Sequence, residues 1–203
     1  MAINIIGITG GIGSGKSVVS RVLRCNGHQV YDCDSEAKRM MKHDFKIKDA
    51  LIEKFGKEIY TENGDINRKL LSSIIFSNDN ARNYVNSIVH KAVKEDIEKK
   101  IKKAFDSFFV ESAILASSGL ASICTCIWLI EADLNEKIKR IQIRDKSSED
   151  DALKRIESQR NEENLLKNYN FISVINDNNH PLLPFILKET DNFYNLQTYL
   201  LTC

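Results

Sequence analysis

The residues best suited to phosphate chemistry lie close to the N-terminus, at Gly10–Ser17. Their sequence, Gly-Gly-Ile-Gly-Ser-Gly-Lys-Ser, has a glycine, four intervening residues and then Gly-Lys-Ser, which is the pattern of a phosphate-binding loop. We expect Lys16 to reach the β- and γ-phosphates of a nucleoside triphosphate and the Ser17 hydroxyl to hold Mg²⁺. The alternative is a glycine turn that only connects a strand to a helix, and such a turn has no use for an adjoining Lys-Ser pair.

Two aspartates, Asp32 and Asp34, follow the next apolar run of the chain. In an extended segment, residues two apart project to the same side, so we expect both side chains beside the phosphate loop. A carboxylate there can orient a hydroxyl nucleophile and take its proton, whereas switch GTPases more often orient water with a glutamine. One of the two could instead cap a helix starting near Ser35. With two acids present, both roles are available.

Short β-branched runs alternate with helical patterns, which predicts an α/β fold with a parallel sheet covered on both faces. Such sheets bind ligands at the carboxyl ends of their strands. The five predicted strands are Asn4–Thr9, Gln29–Asp32, Phe108–Glu111, Ile123–Ile130 and Ile172–Asn176.

Residues 34–105 show helical patterns without a convincing strand, and a plain strand–helix–strand unit needs only about 30 residues, so this interval is an inserted helical subdomain. Its predicted helices are Ser35–His43, Ile47–Phe55, Arg68–Phe76 and Ala81–Phe105, with a turn at Asn63-Gly64. Elsewhere we predict helices at Lys16–Asn26, from Ser147 or Ser148 to Gln159, and from about Pro181 to Leu201. The nucleotide-binding core then comprises residues 1–33 and 106–203.

Composition and charge argue against a nucleic-acid-binding protein and against a membrane protein. The 203 residues are 42% hydrophobic and 28% charged, with 29 Lys plus Arg against 28 Asp plus Glu, so the net charge of +1 favours neither nucleic acid nor an anionic membrane. No apolar run approaches the roughly 20 residues of a membrane-spanning helix. The five cysteines are odd in number and lack zinc-ligand or redox spacing, which indicates reduced thiols of a cytoplasmic protein.

Several segments, in this order and spacing, resemble the dephospho-CoA kinase family. The resemblance begins with Thr9–Ser17, continues with Val30-Tyr-Asp-Cys-Asp34, and then with Asp65-Ile-Asn-Arg68 before Leu70-Leu71. Later blocks extend it over nearly the whole chain, and these are Ile88-Val-His90, Arg140 and Arg144, Arg155–Gln159 and Val174–Asn176. Three positions depart from the family pattern: Lys91 replaces a common proline after His90, Lys38 stands where arginine is frequent, and Glu111–Leu115 replaces a Pro-Leu-Leu segment.

The resemblance implies a P-loop kinase fold and the transfer of a phosphoryl group from ATP, with Mg²⁺, to the ribose 3′-hydroxyl of dephospho-CoA. The product would be coenzyme A, in the last step of its biosynthesis. It further implies that the helical insertion binds the acceptor and that residues 134–170 form a lid. No nucleic acid, membrane or obligate protein partner is expected.

The resemblance also assigns roles to single residues. Asp34 would be the base, with Lys16 and Arg140 assisting the transfer, and Thr9, Asp32 and Arg68 would contact the acceptor. The metal ligand would be Ser17. The residues implied to bind ATP are Gly11, Ile12, Gly13, Ser14, Gly15, Lys16, Ser17, Val18, Arg144 and Asn176.

Spacing alone leaves other interpretations open. Arg140 lies four residues after Glu136 and could form an ordinary surface pair, and Arg68 could be a surface arginine at a helix start. Glu111 could order a magnesium-bound water or be a loop residue, and His90 fits a packed histidine on the apolar side of its helix. For the whole chain, the alternatives are a kinase of another small acceptor, such as a nucleoside or nucleotide, and a nucleotide-dependent switch.

Overall fold

A five-stranded parallel sheet forms the centre of the larger part of the molecule. The computed structural model describes residues 3–104, 107–177 and 182–201, with residues 192–201 by secondary structure alone. The strand order is β2-β3-β1-β4-β5, and all four strand pairs are parallel. The strands are β1 Ile5–Thr9, β2 Gln29–Asp32, β3 Phe108–Glu111, β4 Cys126–Glu131 and β5 Phe171–Ile175. The predicted α/β fold is therefore confirmed.

Nine helices lie in the three described stretches between residues 3 and 201. They are α1 Lys16–Cys25, α2 Cys33–His43, α3 Phe45–Phe55, α4 Arg68–Ser77, α5 Asp79–Ile101, α6 Leu134–Asp145, α7 Glu149–Glu157, α8 Arg160–Leu166 and α9 Leu182–Leu201. Short 3₁₀ turns cover Lys57–Ile59 and Leu120–Ile123. None of the described helices is long and apolar enough to cross a membrane.

The chain divides into two compact units, one comprising Met1–Asp32 and Ala104–Cys203 and the other Cys33–Lys103. In the sheet unit, fully buried side chains of β1, β3 and β4, such as Ile8, Phe109 and Trp128, pack in one core with Val19 and Leu23 of α1. A second small cluster joins α6 to α7 through three buried side chains, Ile138, Ile141 and Ala152. These two clusters fix the strands, α1 and α6, which together surround the glycine loop.

Side-chain caps explain where several helices begin. Asn67 accepts a hydrogen bond from the Leu70 amide, Asn78 from that of Ala81 and Ser148 from that of Asp151, so each satisfies an N–H group that has no partner within its helix. Of the two serines predicted to cap the helix ending near Gln159, Ser148 is thus the cap. That helix ends at Glu157, and α8 follows as a separate helix that the sequence pattern missed.

One strand begins later than predicted. Residues 123–125 were expected in β4, but Gly119 (φ 77°) starts a 3₁₀ turn that runs to Ile123, and the strand begins at Cys126. The predicted helix ends at Phe105 and Pro181 lie outside the described residues, as does Cys203.

Candidate phosphate-binding site

The glycine loop connects β1 to α1, with Thr9 as the last strand residue and Lys16 as the first helical one. Gly13 and Gly15 both have backbone angles and surroundings that exclude a side chain. A Cβ at Gly13 (φ 79°) would lie 2.8 Å from the Lys137 carbonyl oxygen, and one at Gly15 (φ 99°) would collide with the Asn176 amide. Since L residues rarely adopt such φ values, glycine is required at both positions.

Side chains from distant parts of the chain hold the loop by two of its carbonyl groups and one of its amides. The Asn176 amide donates to the Ser14 carbonyl over 2.6 Å. Arg140 donates to the carbonyls of Gly13 (3.2 Å), Ser14 (3.3 Å) and Asn176 (3.1 Å), so its guanidinium bridges the loop and the end of β5. The Gln159 carbonyl oxygen accepts from the Ile12 amide over 2.6 Å. The loop is therefore fixed from α6, from the segment between α7 and α8, and from the end of β5.

The backbone N–H groups of the loop have fewer partners than its carbonyls. Among the described residues, no acceptor is recorded for the N–H groups of Gly13, Gly15 and Ser17. These groups lie where the loop opens α1, and N–H groups at a helix N-terminus attract anions. These three N–H groups can therefore bind an anion, and the binding of phosphates here stays a prediction.

The loop lysine folds along the loop itself, since the Lys16 ammonium donates to the carbonyls of Gly10 (2.6 Å) and Gly11 (3.2 Å). After it, Ser17 and Val18 are exposed at the start of α1. An exposed hydroxyl beside a cradle of N–H groups can contact both a phosphate and its counter-ion.

Two carboxylates meet at the carboxyl ends of neighbouring strands, because Asp32 of β2 is in register with Glu111 of β3. Burial raises the pKa of Glu111, as does the negative charge of Asp32, while Ser20, Lys16 and Arg24 act in the opposite direction. Lys16 is thus close enough to influence Glu111. The site therefore combines carboxylate oxygen donors with an ammonium group.

The expected geometry of the Asp32–Asp34 pair is wrong. β2 ends at Asp32 and α2 begins at Cys33, so Asp34 lies in the first helical turn and is not extended. Residues two apart on a helix do not project to one side. Asp34 is exposed and belongs to the helical unit, whereas Asp32 belongs to the sheet unit.

The two arginines of α6 have different surroundings. Arg140 contacts the loop, and its expected surface partner Glu136 is 4.0 Å away. Arg144 instead donates twice, over 2.8 Å each, to the neighbouring Asp145, which also pairs with Arg155 of α7 at 2.7 Å. These hydrogen bonds lower the pKa of Asp145. Of the two arginines, only Arg140 is described in contact with the loop.

Thr9 lies beneath the loop and is fully buried, and its hydroxyl has no hydrogen-bond partner among the described residues. It lines a cavity of about 10 Å³ together with Gln159 and Glu162. Glu162, only 8% exposed, accepts hydrogen bonds from the Ala116 and Ser117 amides and so fixes the loop after β3. The sequence places Gln159 in a segment that resembles the family but does not reveal its contact with the phosphate loop, and it gives no sign that Glu162 fixes the loop after β3, because each lies far along the chain from its partner.

In the helical unit, the segment Asp65-Ile-Asn-Arg68 consists of three structural residues and one exposed cation. Lys42 donates a hydrogen bond to Asp65 over 2.6 Å and lowers the pKa of that carboxyl. Ile66 forms an antiparallel bridge with Tyr60, and Asn67 caps α4. Arg68 is exposed, and within the described part of the chain no hydrogen bond or ion pair of its guanidinium is recorded. Its positive charge helps to lower the pKa of Asp65, and its exposed guanidinium can also contact a ligand.

A groove of about 650 Å³ lies in the same unit, between the start of α3 and the middle of α5. The 80% exposed side chain of Phe45 lines it, along with Ile88 and the cations Lys46, Lys91 and Lys99. His43 lines it too, and its charge helps to lower the pKa of Asp65. The carboxylates of Asp44 and Glu95 also line the groove, so it offers cationic, anionic and apolar contacts.

Two further positions singled out in the sequence lie in this unit. Lys38 is exposed on α2. His90 is half-buried in α5, and burial lowers its pKa, as expected of a packed histidine.

No group of three or more His, Cys, Asp or Glu side chains among the described residues could enclose a metal ion. The donors beside the loop are a serine hydroxyl, Ser17, and the carboxylates of Asp32 and Glu111. Hard oxygen donors in small number suit Mg²⁺, which keeps several waters and binds mainly through substrate phosphates. The residues present therefore fit this ion.

Comparison with known proteins gives a consistent result. A family model described as dephospho-CoA kinase matches residues 4–181. A dephospho-CoA kinase of Bacteroides fragilis is 38% identical over 98% of this chain and 97% of its own length, and one of Porphyromonas gingivalis is 41% identical over 90% and 91%. The solved structure of a dephospho-CoA kinase from Campylobacter jejuni superposes with a TM-score of 0.66 at 23% identity, covering 92% of this chain and 95% of that one, and so shares the fold.

Proposed function

This chain belongs to the dephospho-CoA kinase family and phosphorylates dephospho-CoA with ATP, and we propose that the acceptor atom is the ribose 3′-hydroxyl. The products would be ADP and coenzyme A. The observation that carries the proposal is the loop of residues 10–17. Among the described residues, no acceptor is recorded for its N–H groups at Gly13, Gly15 and Ser17, while Arg140 and Asn176 hold its carbonyls and Gln159 holds the Ile12 amide.

We propose that the ATP phosphates lie on this loop, contacted by the backbone from Gly11 to Val18 and by the Lys16 ammonium. Lys16 would exchange its contacts with the loop carbonyls for the β- and γ-phosphate oxygens. Arg140 supports the proposal because its guanidinium is already fixed at Ser14. Asn176, bonded to both Arg140 and Ser14, would then lie close to the nucleotide.

Arg144 can join the ATP contacts only by giving up its two hydrogen bonds to Asp145. We propose this exchange as part of the closing of residues 134–170 over the nucleotide. Closure of such a segment excludes water, which would otherwise hydrolyse ATP.

Mg²⁺ would be held by Ser17 and, through bound waters, by Asp32 and Glu111. It would neutralise charge on the β- and γ-phosphate oxygens. Burial raises the pKa of Glu111, and a nearby cation would favour the ionised form of this carboxylate.

For the acceptor, we propose that Asp34 accepts the proton of the 3′-hydroxyl while the oxygen bonds to the γ-phosphorus and ADP leaves. Arg68 would bind an acceptor phosphate, and the lysine-lined groove supports binding of an elongated anion with an apolar arm. Asp32 would orient the acceptor, and Thr9 could contact it only if the loop above it moved.

We place the reaction in a reducing compartment such as the cytoplasm. The free cysteines at positions 25, 33, 124 and 126 support this placement.

The decisive experiment measures ATP consumption with Mg²⁺ in the presence and absence of dephospho-CoA and identifies the product by ³¹P NMR. We expect a 3′-phosphate, formed far faster than ATP is hydrolysed alone. Lys16→Ala should lower kcat by about 10²–10³-fold, because it removes a donor to the developing charge. Equal ATP consumption with and without acceptor, or faster transfer to a nucleoside, would contradict the proposal.

A further inference from the structure

Lys137 in α6 lies next to the phosphate loop, although no motif in the sequence includes it. Its backbone contacts the loop, because a Cβ at Gly13 would lie 2.8 Å from the Lys137 carbonyl oxygen and 3.0 Å from its Cα. Its side chain then extends along the loop, so that the ammonium lies 3.7 Å from the position of a Cβ at Gly11. The residue is half-buried there and follows the loop over two glycines.

The other cations around the loop already have partners. Lys16 donates to the Gly10 and Gly11 carbonyls, and Arg140 to those of Gly13, Ser14 and Asn176. Arg144 and Arg155 both pair with Asp145. Lys137 differs from all of them, since no hydrogen bond or ion pair of its side chain is recorded within the stretches that the structure describes.

The Glu163 carboxylate lies on the same side of the loop and is a possible ion-pair partner of Lys137. One of its oxygens is 3.9 Å from the Cβ position at Gly11, and the Gln159 oxygen is 3.8 Å from the same position. Yet Glu163 is exposed and forms no recorded ion pair with Lys137, while the Gln159 oxygen accepts from Ile12. Within the described residues, Lys137 therefore forms no ion pair at the loop, although the Glu163 carboxylate lies on the same side.

We propose that Lys137 is an additional ATP-binding residue, whose ammonium contacts the β- and γ-phosphate oxygens from the α6 side of the loop. Its ammonium and that of Lys16 both lie at Gly11, so two cations would contact the same phosphates from different elements. This inference rests on the proposed function, in that it requires ATP phosphates on the loop.

The test compares binding of a non-hydrolysable ATP analogue, ADP and AMP, each with Mg²⁺, to the wild type and to Lys137→Met, by titration calorimetry. Methionine keeps most of the stem and removes the charge. We expect the Kd of the analogue to rise about 10-fold, that of ADP to rise less and that of AMP to stay unchanged, as loss of a charge-assisted hydrogen bond predicts. Lys137→Arg should restore most of the affinity.

Lys139→Met is the matched control, because Lys139 is on the same helix but 67% exposed and pairs with Glu136. It should bind all three ligands as the wild type does. Glu163→Gln tests whether Lys137 acts through an ion pair with Glu163 instead of through phosphate. We expect this variant to keep the wild-type affinity for the analogue. Loss of affinity in Glu163→Gln equal to that in Lys137→Met, or equal losses for the analogue and AMP, would overturn the proposal.

The two proposals fail in distinguishable ways. If the wild type phosphorylates dephospho-CoA and Lys137→Met binds the analogue normally, only the inference about Lys137 is wrong. If the wild type binds the analogue but transfers nothing to dephospho-CoA, the proposed acceptor is wrong. Should Lys137→Met not fold, as judged by thermal denaturation, Lys137→Gln takes its place with the same expected order of losses.

Discussion

The sheet unit and the helical unit present their candidate site residues in contrasting ways. In the sheet unit, the phosphate loop is formed by backbone, with glycines at Gly13 and Gly15 pressed against other elements and carbonyls bonded to Arg140 and Asn176. In the helical unit, by contrast, Arg68 is an exposed side chain at the start of a helix whose neighbours are used for capping and pairing. Binding at the phosphate loop depends on the shape of the backbone, whereas binding at Arg68 depends on the charge of one side chain. Substitutions should therefore act differently at the two sites.

The largest effect should come from Asp34, the exposed acid of α2. Asp34→Asn keeps the shape of the side chain but cannot accept a proton, so we expect kcat to fall about 10²–10⁴-fold with little change in ATP affinity. Single-turnover phosphotransfer, with ATP binding measured separately, checks this because product release cannot hide the chemical step.

Asp32→Asn is the partner variant for this measurement and should cost less, since Asp32 ends a strand beside Glu111. A crippled Asp32→Asn beside an unaffected Asp34→Asn would reverse the assignment of the two acids. If neither variant slows the transfer, this pair supplies no base.

The next largest effect tests the shape of the loop. Gly13→Ala places a methyl group against the α6 backbone and strains a positive φ, so we expect kcat/KM to fall about 10²-fold through a displaced loop. Gly27→Ala is the control, since Gly27 also has a positive φ (86°) but no atom within 4 Å of its Cβ position. It should cost about 1–2 kcal/mol of stability and leave kcat/KM unchanged. Equal activity of the two variants would mean that contact with α6 does not shape the loop.

A smaller effect is expected for the exposed cation of the helical unit. Arg68→Met should raise the KM for dephospho-CoA about 10-fold while the KM for ATP stays the same, because a charged hydrogen bond to the acceptor is lost. Lys69→Met, one residue further on the exposed surface of α4, serves as the control. A change in the KM for ATP alone would place Arg68 on the donor side.

The smallest effect concerns His90 and needs no ligand. Burial lowers the pKa of this histidine in the folded state, so between that value and the unfolded value near 6.5 the unfolded chain binds more protons. The free energy of unfolding should therefore fall as the pH decreases through this range, and His90→Gln should flatten the fall. Chemical denaturation of both proteins at pH 7.5 and 5.5 measures the difference. Loss of phosphotransfer in His90→Gln at pH 7.5 would contradict the assignment of a packed residue.

Local signals explain which parts of this molecule could be predicted from the sequence. The phosphate loop follows a continuous pattern in eight residues, and apolar periodicity located β1, β2, β3, β5 and most helices to within a few residues. The start of β4 was missed because Gly119 begins a 3₁₀ turn through an apolar segment that also satisfies a strand pattern. The geometry of Asp34 was missed because a helix can begin without a break directly after a strand.

The supports of the loop could be predicted only in part, and the reason is distance along the chain. Arg140 and Asn176 were expected near the nucleotide, and Gln159 ends a segment that resembles the family, but no pattern in the sequence pairs any of them with the loop. Glu162 and Lys137 belong to no motif, and only the packing of α6 and α8 places them next to the loop. Arg144 was expected at the phosphates together with Arg140, but the adjacent Asp145 binds it in this structure. The spacing of residues on a helix predicts which side chains share a face, but it does not predict which group each side chain contacts, because that depends on tertiary packing.

The bond between Asn176 and Ser14 joins residues 162 positions apart, and those from Gln159 to Ile12 and from Arg140 to Gly13 span 147 and 127 positions. A ribosome releases the glycine loop first and its supports last, since synthesis and domain folding proceed from the N-terminus. The loop residues are therefore synthesised long before the residues that fix their conformation. A nascent or truncated chain that lacks β5 and Asn176 carries the phosphate-binding motif without this hydrogen bond, so we expect nucleotide binding to require synthesis through Asn176.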